Sequence, residues 1–122
     1  MSHTSEKRQH PRIKDRLTLR SSSDTGSSEM ATTDLSLGGA LVVAGRYFPL
    51  MTRVEVTLML PPEAASDSGP RPVHAQAVVV RVQPPEEHAG LRQYALALFF
   101  SHMEQRDRNA LSRYLSAQPR ES

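Results

Sequence analysis

Two arginines near the start of the sequence stand four residues apart, in Arg8-Gln9-His10-Pro11-Arg12. Pro11 disfavours a helical conformation at His10, so this segment should be extended or turned. A guanidinium group presents a planar fork of donors that pairs with two phosphate oxygens, or with the O6 and N7 atoms of guanine. Arg8 and Arg12 are therefore candidates for gripping a ligand that carries phosphates and guanines, although basic pairs are also common in solvated segments.

A second group of polar residues occurs in Asp34-Leu35-Ser36-Leu37-Gly38-Gly39. Alternate residues of an extended chain project to one side, so Asp34 and Ser36 should face a ligand together. A carboxylate accepts hydrogen bonds from the N1 and N2 groups of guanine, and a serine hydroxyl can contact a neighbouring polar group. Gly39 would let the backbone approach the ligand closely, or adopt a backbone angle that other residues avoid. Taken alone, the segment is typical of a simple turn.

The rest of the composition argues against an enzyme. The 122-residue chain has no cysteine, which excludes disulfides, thiolate metal sites and cysteine nucleophiles. Its five histidines show no metal-ligand spacing, and no nucleophile elbow, phosphate loop or paired-carboxylate pattern occurs. We therefore expect no catalytic residue, no metal and no cofactor.

The N-terminus leads into no apolar segment, and the longest apolar runs, such as residues 95–100, are too short to span a bilayer. We therefore expect a cytoplasmic protein without membrane insertion. Residues 1–20 are rich in Lys and Arg, which favours either an anion-binding arm or a solvated tail.

The elements that must position these residues are mostly strands. Two-fold alternation or short apolar runs predict six strands, at residues 17–20, 30–33, 40–43, 53–60, 73–82 and 94–100. The segments 21–28, 61–72 and 83–93 are rich in turn-forming or polar residues and are predicted to be loops.

A C-terminal amphipathic helix should follow the strands. Ser101 and Glu104 have the spacing of a capping box, and Pro119 would end the helix. Its apolar stripe, interrupted by Asp107, consists of Met103, Ala110, Leu111, Tyr114 and Leu115. Together these elements predict an all-β-dominated fold, a six-stranded antiparallel β-barrel with the helix packed over an opening or flank. Phe99, Phe100 and Tyr114 are predicted to belong to the core.

Together, the two polar patterns resemble the PilZ domain, a family of cyclic di-GMP receptors. Its signature is Arg-x-x-x-Arg in an N-terminal arm, then Asp/Asn-x-Ser-x-x-Gly at the start of a β-barrel; here these positions are Arg8, Arg12, Asp34, Ser36 and Gly39. The resemblance covers nearly the whole chain, including residues 38–41, the valine-rich strand at 78–82 and residues 113–115 of the closing helix.

The resemblance implies a flexible basic arm at residues 1–15, a split barrel with its helix at residues 16–117, and a disordered tail at residues 118–122. Arg8 and Arg12 would grip phosphate and guanine, while Asp34, Ser36 and Gly39 would contact the other side of the ligand. Three weaker candidates are Lys7, Gly38 and Arg46. A basic residue at the position of Lys7 often accompanies a stacked pair of ligands in this family, and Arg46 is otherwise a solvated loop residue.

The resulting functional hypothesis is a cyclic di-GMP receptor that orders its arm over the ligand and signals in trans to an unidentified partner protein. One alternative is a PilZ-like protein–protein adaptor that binds no nucleotide. The other is a small basic barrel that binds single-stranded nucleic acid. Three Tyr, three Phe and no Trp offer few platforms for stacked bases, so we do not expect nucleic-acid binding.

Overall fold

The structure is a computed structural model that describes residues 17–23, 26–61 and 70–117. The elements are β1 (Thr18–Ser23), β2 (Gly26–Leu35), β3 (Gly39–Ala44), β4 (Arg53–Leu60), β5 (Arg71–Gln83), β6 (Tyr94–His102) and α1 (Gln105–Ala117). The strands pair antiparallel in a closed barrel with the order β1-β2-β3-β6-β5-β4. The predicted six-stranded barrel with a C-terminal helix is therefore confirmed. The predicted arm and tail, residues 1–15 and 118–122, lie outside the described residues.

Apolar side chains fill the interior of the barrel. In β4 the alternating residues Val54, Val56, Leu58 and Leu60 are all buried, as the sequence pattern predicts. Each of the other strands also contributes buried side chains to the same core. Full burial of one such side chain stabilises the fold by about 1.5–3 kcal/mol. Because this core is filled, the outer surface is the natural place for a ligand or a partner.

Helix α1 packs against β5 and extends the core. Its buried residues are Asp107, Ala110, Leu111 and Leu115, which confirms the predicted stripe at these positions. Tyr114 is partly buried, and Met103, also partly buried, precedes the helix. Asp107 lies in the first turn, where the helix dipole favours a negative charge. In the described parts of the chain, no helix is both long enough and apolar enough to cross a bilayer.

The predicted capping box at the start of this helix is wrong. Ser101 belongs to β6, and its hydroxyl donates to the carbonyl oxygen of Gln76 on β5 at 3.2 Å. Strand β6 continues to His102, which pairs with Gln76, so Ser101 cannot cap a helix that begins at Gln105. The pairing of β6 with β5 takes precedence over the local capping pattern.

The predicted loop at residues 21–28 is also wrong. Strands β1 and β2 continue through the serines and pair as far as Ser23 and Gly26. Ser21 and Ser22 also pair with β4, so β1 has a partner strand on each side. Two-sided pairing satisfies the backbone donors and acceptors and outweighs the weak strand preference of serine.

The prediction that Phe99 belongs to the core is wrong as well. Phe99 is 52% exposed, because Leu96 and Leu98 take the inward positions of β6 and leave residue 99 on the outer face. Phe100 and Tyr114 are partly buried and pack against the core, as predicted.

The backbone of β6 lies close to Gly39 on β3. Gly39 pairs with Phe99, and a Cβ atom on Gly39 would collide with the backbone carbonyl oxygen of Leu98. Gly38 differs, because a Cβ atom there would meet no atom within 4 Å. The barrel therefore requires glycine at position 39 for space and tolerates a side chain at position 38.

We expect Gly39→Ala to lower the free energy of unfolding by about 1–3 kcal/mol, because the added methyl group forces the two strands apart. For a chain of this size, each kcal/mol lost lowers Tm by roughly 4 °C. The matched variant Gly38→Ala should change stability much less. Urea denaturation of the ligand-free protein measures both effects, and equal midpoints for the two variants would contradict this account of Gly39.

Candidate ligand-binding site on the barrel surface

A bulge in β2 sets the orientation of Asp34. Thr32 pairs with Val42 and Asp34 pairs with Leu41, so Thr33 is an extra residue in β2. In a regular ladder Thr33 would pair with Leu41 and Asp34 with Ala40, whose side chain is buried inside the barrel. With the bulge, Asp34 shares the outer face with Leu41. The Thr33 hydroxyl donates to the carbonyl oxygen of Leu41 at 3.3 Å.

Asp34 lies at an outer-face position but is only 7% exposed. Together with Ser36 it lines an open cleft of about 250 Å³, so the two residues lie at the same place on the surface. The remaining lining residues come from the turn after β2 and from β3, β5 and β6: Gly38, Gly39, Ala40, Leu41, Val80, Ala97, Leu98 and Phe99.

The turn between β2 and β3 is held by backbone hydrogen bonds. The Ser36 amide donates to the Gly39 carbonyl oxygen at 2.9 Å, and the Ser36 hydroxyl makes a longer contact of 3.4 Å with the same atom. The Phe100 amide donates to the carbonyl oxygen of Gly38 at 2.9 Å, which ties the turn to β6. The serine of the motif therefore has a structural function in addition to any contact with a ligand.

The structure excludes one of the two roles predicted for Gly39. The described glycines with positive φ are Gly26 and Gly90, so an unusual backbone angle is not the reason for glycine at position 39. The reason is the close approach of the β6 backbone at Leu98. A close approach of the ligand to Gly39 stays a prediction, as does the weaker prediction for Gly38, which is exposed beside the cleft.

The residue that precedes β1, Leu17, is bound to the barrel close to this cleft. The Thr32 amide donates to the Leu17 carbonyl oxygen, and the Leu17 amide donates to the Thr32 hydroxyl, both at 2.9 Å. Thr32 is two residues from Asp34, so the segment that precedes Leu17 starts near the cleft. The predicted site residues Lys7, Arg8 and Arg12 belong to that segment and lie outside the described residues.

The length of this segment permits the arginines to reach the cleft. An extended chain spans at most about 3.3–3.6 Å per residue. Arg12 precedes Leu17 by five residues and Arg8 precedes it by nine, which allows roughly 17 Å and 30 Å respectively. Thr32 and Asp34 are two positions apart in a strand, a distance of about 7 Å, which is well within both limits.

Arg46 lies elsewhere. It follows the C-terminal end of β3, whereas Gly39 is at the N-terminal end, about 17 Å away along a six-residue strand. Its guanidinium carbon lies 4.1 Å from the centre of the Phe48 ring, in a cation–π contact. The structure therefore brings Asp34, Ser36, Gly38 and Gly39 together and places Arg46 at the other end of the strand.

Sequence analysis missed the apolar side of the cleft, formed by Leu41, Val80 and Phe99. All three are exposed, at 41%, 49% and 52% respectively. A signal for them was present, since β3, β6 and the middle of β5 are apolar at consecutive positions rather than alternate ones. Strands of this kind are apolar on both faces, and their outer face is then available for binding.

A second cleft, of about 240 Å³, lies beside the start of α1 and includes His74, His102 and Glu55. His74 Nδ1 is 3.1 Å from the Thr57 hydroxyl. Within residues 17–23, 26–61 and 70–117, no group of three or more His, Cys, Asp or Glu side chains is arranged to hold a metal ion.

The fold is similar to the folds of two proteins of known structure. The structure is similar to the inhibitor of motility MotI (DgrA) of Bacillus subtilis, with a TM-score of 0.71 and 22% identity, over 90% of this chain and 50% of that protein. This chain therefore spans about half the length of MotI. It is also similar to the PilZ domain of Escherichia coli YcgR, solved with cyclic di-GMP, with a TM-score of 0.61 and 15% identity, over 91% and 90% of the two chains. No curated protein sequence matches it significantly.

At these identities the two structures establish a shared fold. The sequence itself gives the family, because the family model for the PilZ domain matches residues 6–117, which include all five signature positions. This chain therefore belongs to the PilZ domain family.

Proposed function

We propose that this protein is a cytoplasmic receptor for cyclic di-GMP that signals to a partner protein and has no catalytic activity. The observation that carries the proposal is the position of the cleft. Asp34 and Ser36 line it, and the segment that bears Arg8 and Arg12 joins the barrel two residues away, at Thr32. The PilZ domain of YcgR, which has the same fold, was solved with cyclic di-GMP.

The chemistry of the cleft suits one guanine edge. The Asp34 carboxylate can accept hydrogen bonds from the N1 and N2 groups of guanine, and Ser36 can contact a neighbouring polar atom. The apolar side chains of Leu41, Val80 and Phe99 provide surface against which a planar base can rest. Phosphate groups need cations, and Arg8 and Arg12 supply them as planar forks.

The small volume of the cleft supports a binding site that a second segment of the chain completes. Its volume of about 250 Å³ is below the range of about 300–1,000 Å³ that is usual for small-molecule sites. We therefore propose that the segment before Leu17 covers the ligand and completes the site. Ordering this segment costs conformational entropy, which the charge-assisted hydrogen bonds of the two arginines offset. The resulting change of surface is the signal to the partner.

We propose that Lys7 helps the chain to bind two stacked ligands rather than one. A third cation beside Arg8 would help to neutralise the four phosphates of two stacked ligands. Gly38 contributes by leaving the edge of the cleft open, since no atom lies within 4 Å of the place where its side chain would be.

Arg8→Ala and Arg12→Ala should each weaken cyclic di-GMP binding at least tenfold. A hydrogen bond to a charged group contributes roughly 1.5–3 kcal/mol, and about 1.4 kcal/mol is a factor of ten in affinity. Isothermal titration measures the affinity and also whether one or two ligands bind. The matched control is Arg20→Ala, which removes an exposed arginine that contacts Glu29 at 3.3 Å and should leave affinity unchanged. Equal affinity for all three variants and the wild type would refute the proposal.

Asp34→Ala should lower affinity for cyclic di-GMP by about tenfold or more and reduce the preference for it over cyclic di-AMP, because adenine lacks the donors that pair with the carboxylate. Titration of both ligands into wild type and variant gives the ratio of affinities. A thermal melt of each protein verifies that the variant is folded. An unchanged ratio in a folded variant would argue against a guanine contact at Asp34.

One observation favours the adaptor as a second candidate function. Ser36 and Gly39 each have a structural function in the turn and in the β3–β6 contact, so both can persist in a barrel that binds no nucleotide. The same titration separates the candidates: heat at micromolar cyclic di-GMP supports the receptor, and its absence at tens of micromolar supports the adaptor. Nucleic-acid binding is less well supported, since Phe99 is the exposed aromatic side chain of the described core strands and stacking sites use several.

A further inference from the structure

The connection between β3 and β4 exposes two apolar side chains on a firmly held turn. Leu50 is 56% exposed and Met51 is 70% exposed. Met51 has a φ of 70°, in the left-handed region that residues other than glycine and asparagine rarely adopt. The Thr52 hydroxyl and amide both donate to the Pro49 carbonyl oxygen, at 2.6 Å and 3.2 Å. A disfavoured conformation that hydrogen bonds hold in place is a reason to look for a function at this turn.

This turn is joined to a second irregularity, a bulge in β5. Val79 pairs with Leu98 and Arg81 pairs with Ala97, so Val80 is an extra residue, and both Val80 and Arg81 are exposed. The Met51 amide donates to the Val79 carbonyl oxygen at 2.7 Å, and the Val79 amide donates to the Thr52 carbonyl oxygen at 2.9 Å. The turn and the bulge therefore form one surface, which we call the docking surface: Leu50, Met51, Val80 and Arg81.

The charged residues of the two segments that form the docking surface are all basic. Residues 50–53 and 78–83 contain two arginines, Arg53 and Arg81, and no Asp or Glu. If two copies of the chain met through this surface, their arginines would face one another, and like charges at an interface are unfavourable. A partner with carboxylates at the edge of its site is favoured instead.

The parts of this sequence that lie outside the described ranges contain few large apolar side chains. Outside the described ranges, Met1 and Ile13 are the only Val, Ile, Leu, Met or aromatic residues in the sequence. Methionine and arginine are enriched at protein–protein contacts, where methionine adapts its shape to an apolar pocket and arginine pairs with carboxylates.

We propose that the docking surface binds a protein other than a second copy of this chain, one that offers an apolar pocket to Leu50 and Met51 and a carboxylate to Arg81. The proposal rests on the part of the proposed function in which the chain acts through a partner. It does not depend on cyclic di-GMP. Val80 also lines the candidate ligand cleft, so the docking surface and the cleft share an edge.

The test begins with a photoreactive amino acid, p-benzoylphenylalanine, placed at position 51 of the full chain in its native cells. Position 59 is the matched control, because Met59 is also an exposed methionine, at 37%, on β4 and away from the docking surface. Irradiation should join position 51, and not position 59, to one protein. That protein is then purified and its affinity for the chain is measured in solution.

Met51→Asn and Arg81→Glu should each lower this affinity at least tenfold, and Met59→Asn should change it less than twofold. Asparagine is used because it tolerates the left-handed conformation at position 51, so the turn keeps its shape. A thermal melt of each variant verifies that it is folded.

Four results would overturn the proposal: no photoproduct at position 51, equal products at positions 51 and 59, a product made of two copies of this chain, or an affinity that the Met51 and Arg81 variants leave unchanged. Titration of the same proteins with cyclic di-GMP shows whether a failure concerns the docking surface or the proposed receptor function. Met51→Asn should bind cyclic di-GMP as the wild type does, and a folded Met51→Asn protein that loses only the ligand would assign this surface to the ligand site instead. A wild-type protein that binds the partner but no cyclic di-GMP would refute the receptor and support the docking surface.

Discussion

One extra residue in β2 decides which side of the barrel carries the Asp34 carboxylate. The interior of this small barrel is filled by apolar side chains, where an ionised carboxylate without compensating partners is strongly unfavourable. The bulge at Thr33 places Asp34 on the outer face and returns the next residue, Leu35, to the inside, where it is fully buried. The ladder between β2 and β3 then resumes with Leu35 opposite Ala40. The core, the turn at residues 36–38 and the cleft all depend on this local shift of register.

The barrel half of the PilZ signature has two kinds of residue. Gly39 is required by the backbone of β6 at Leu98, and Ser36 closes the turn through the Gly39 carbonyl oxygen. These two residues would keep their structural functions in a barrel without a ligand. Under the proposed function, Asp34, Arg8 and Arg12 are the residues that contact guanine and phosphate. Whether the chain is a receptor therefore depends on these three residues more than on the complete motif.

Features that repeat along a strand or helix could be predicted from the sequence, and features set by the neighbouring strand could not. The alternation in β4 and the stripe of α1 correctly predicted which side chains are buried. The strand character of the serines in the β1–β2 hairpin comes from pairing with β2 and β4, which no local pattern contains. The same holds for Ser101, which fits a capping box locally but belongs to β6. The motif predicted that Asp34 and Ser36 would meet, whereas the apolar residues opposite them became visible only with the register of β3, β5 and β6.

The two bulges also connect the cleft with the rest of the surface. β2 and β5 are separated in the barrel by β3 and β6, yet Asp34 after the first bulge and Val80 in the second line the same cleft. A closed barrel with a filled core resists rearrangement, because densely packed interiors have few alternative arrangements of similar energy. We therefore expect a ligand in the cleft to act by adding its own surface, and that of the segment covering it, beside Val80. A partner at the docking surface would then contact a composite of ligand and protein, and the barrel could transmit the signal without changing its own shape.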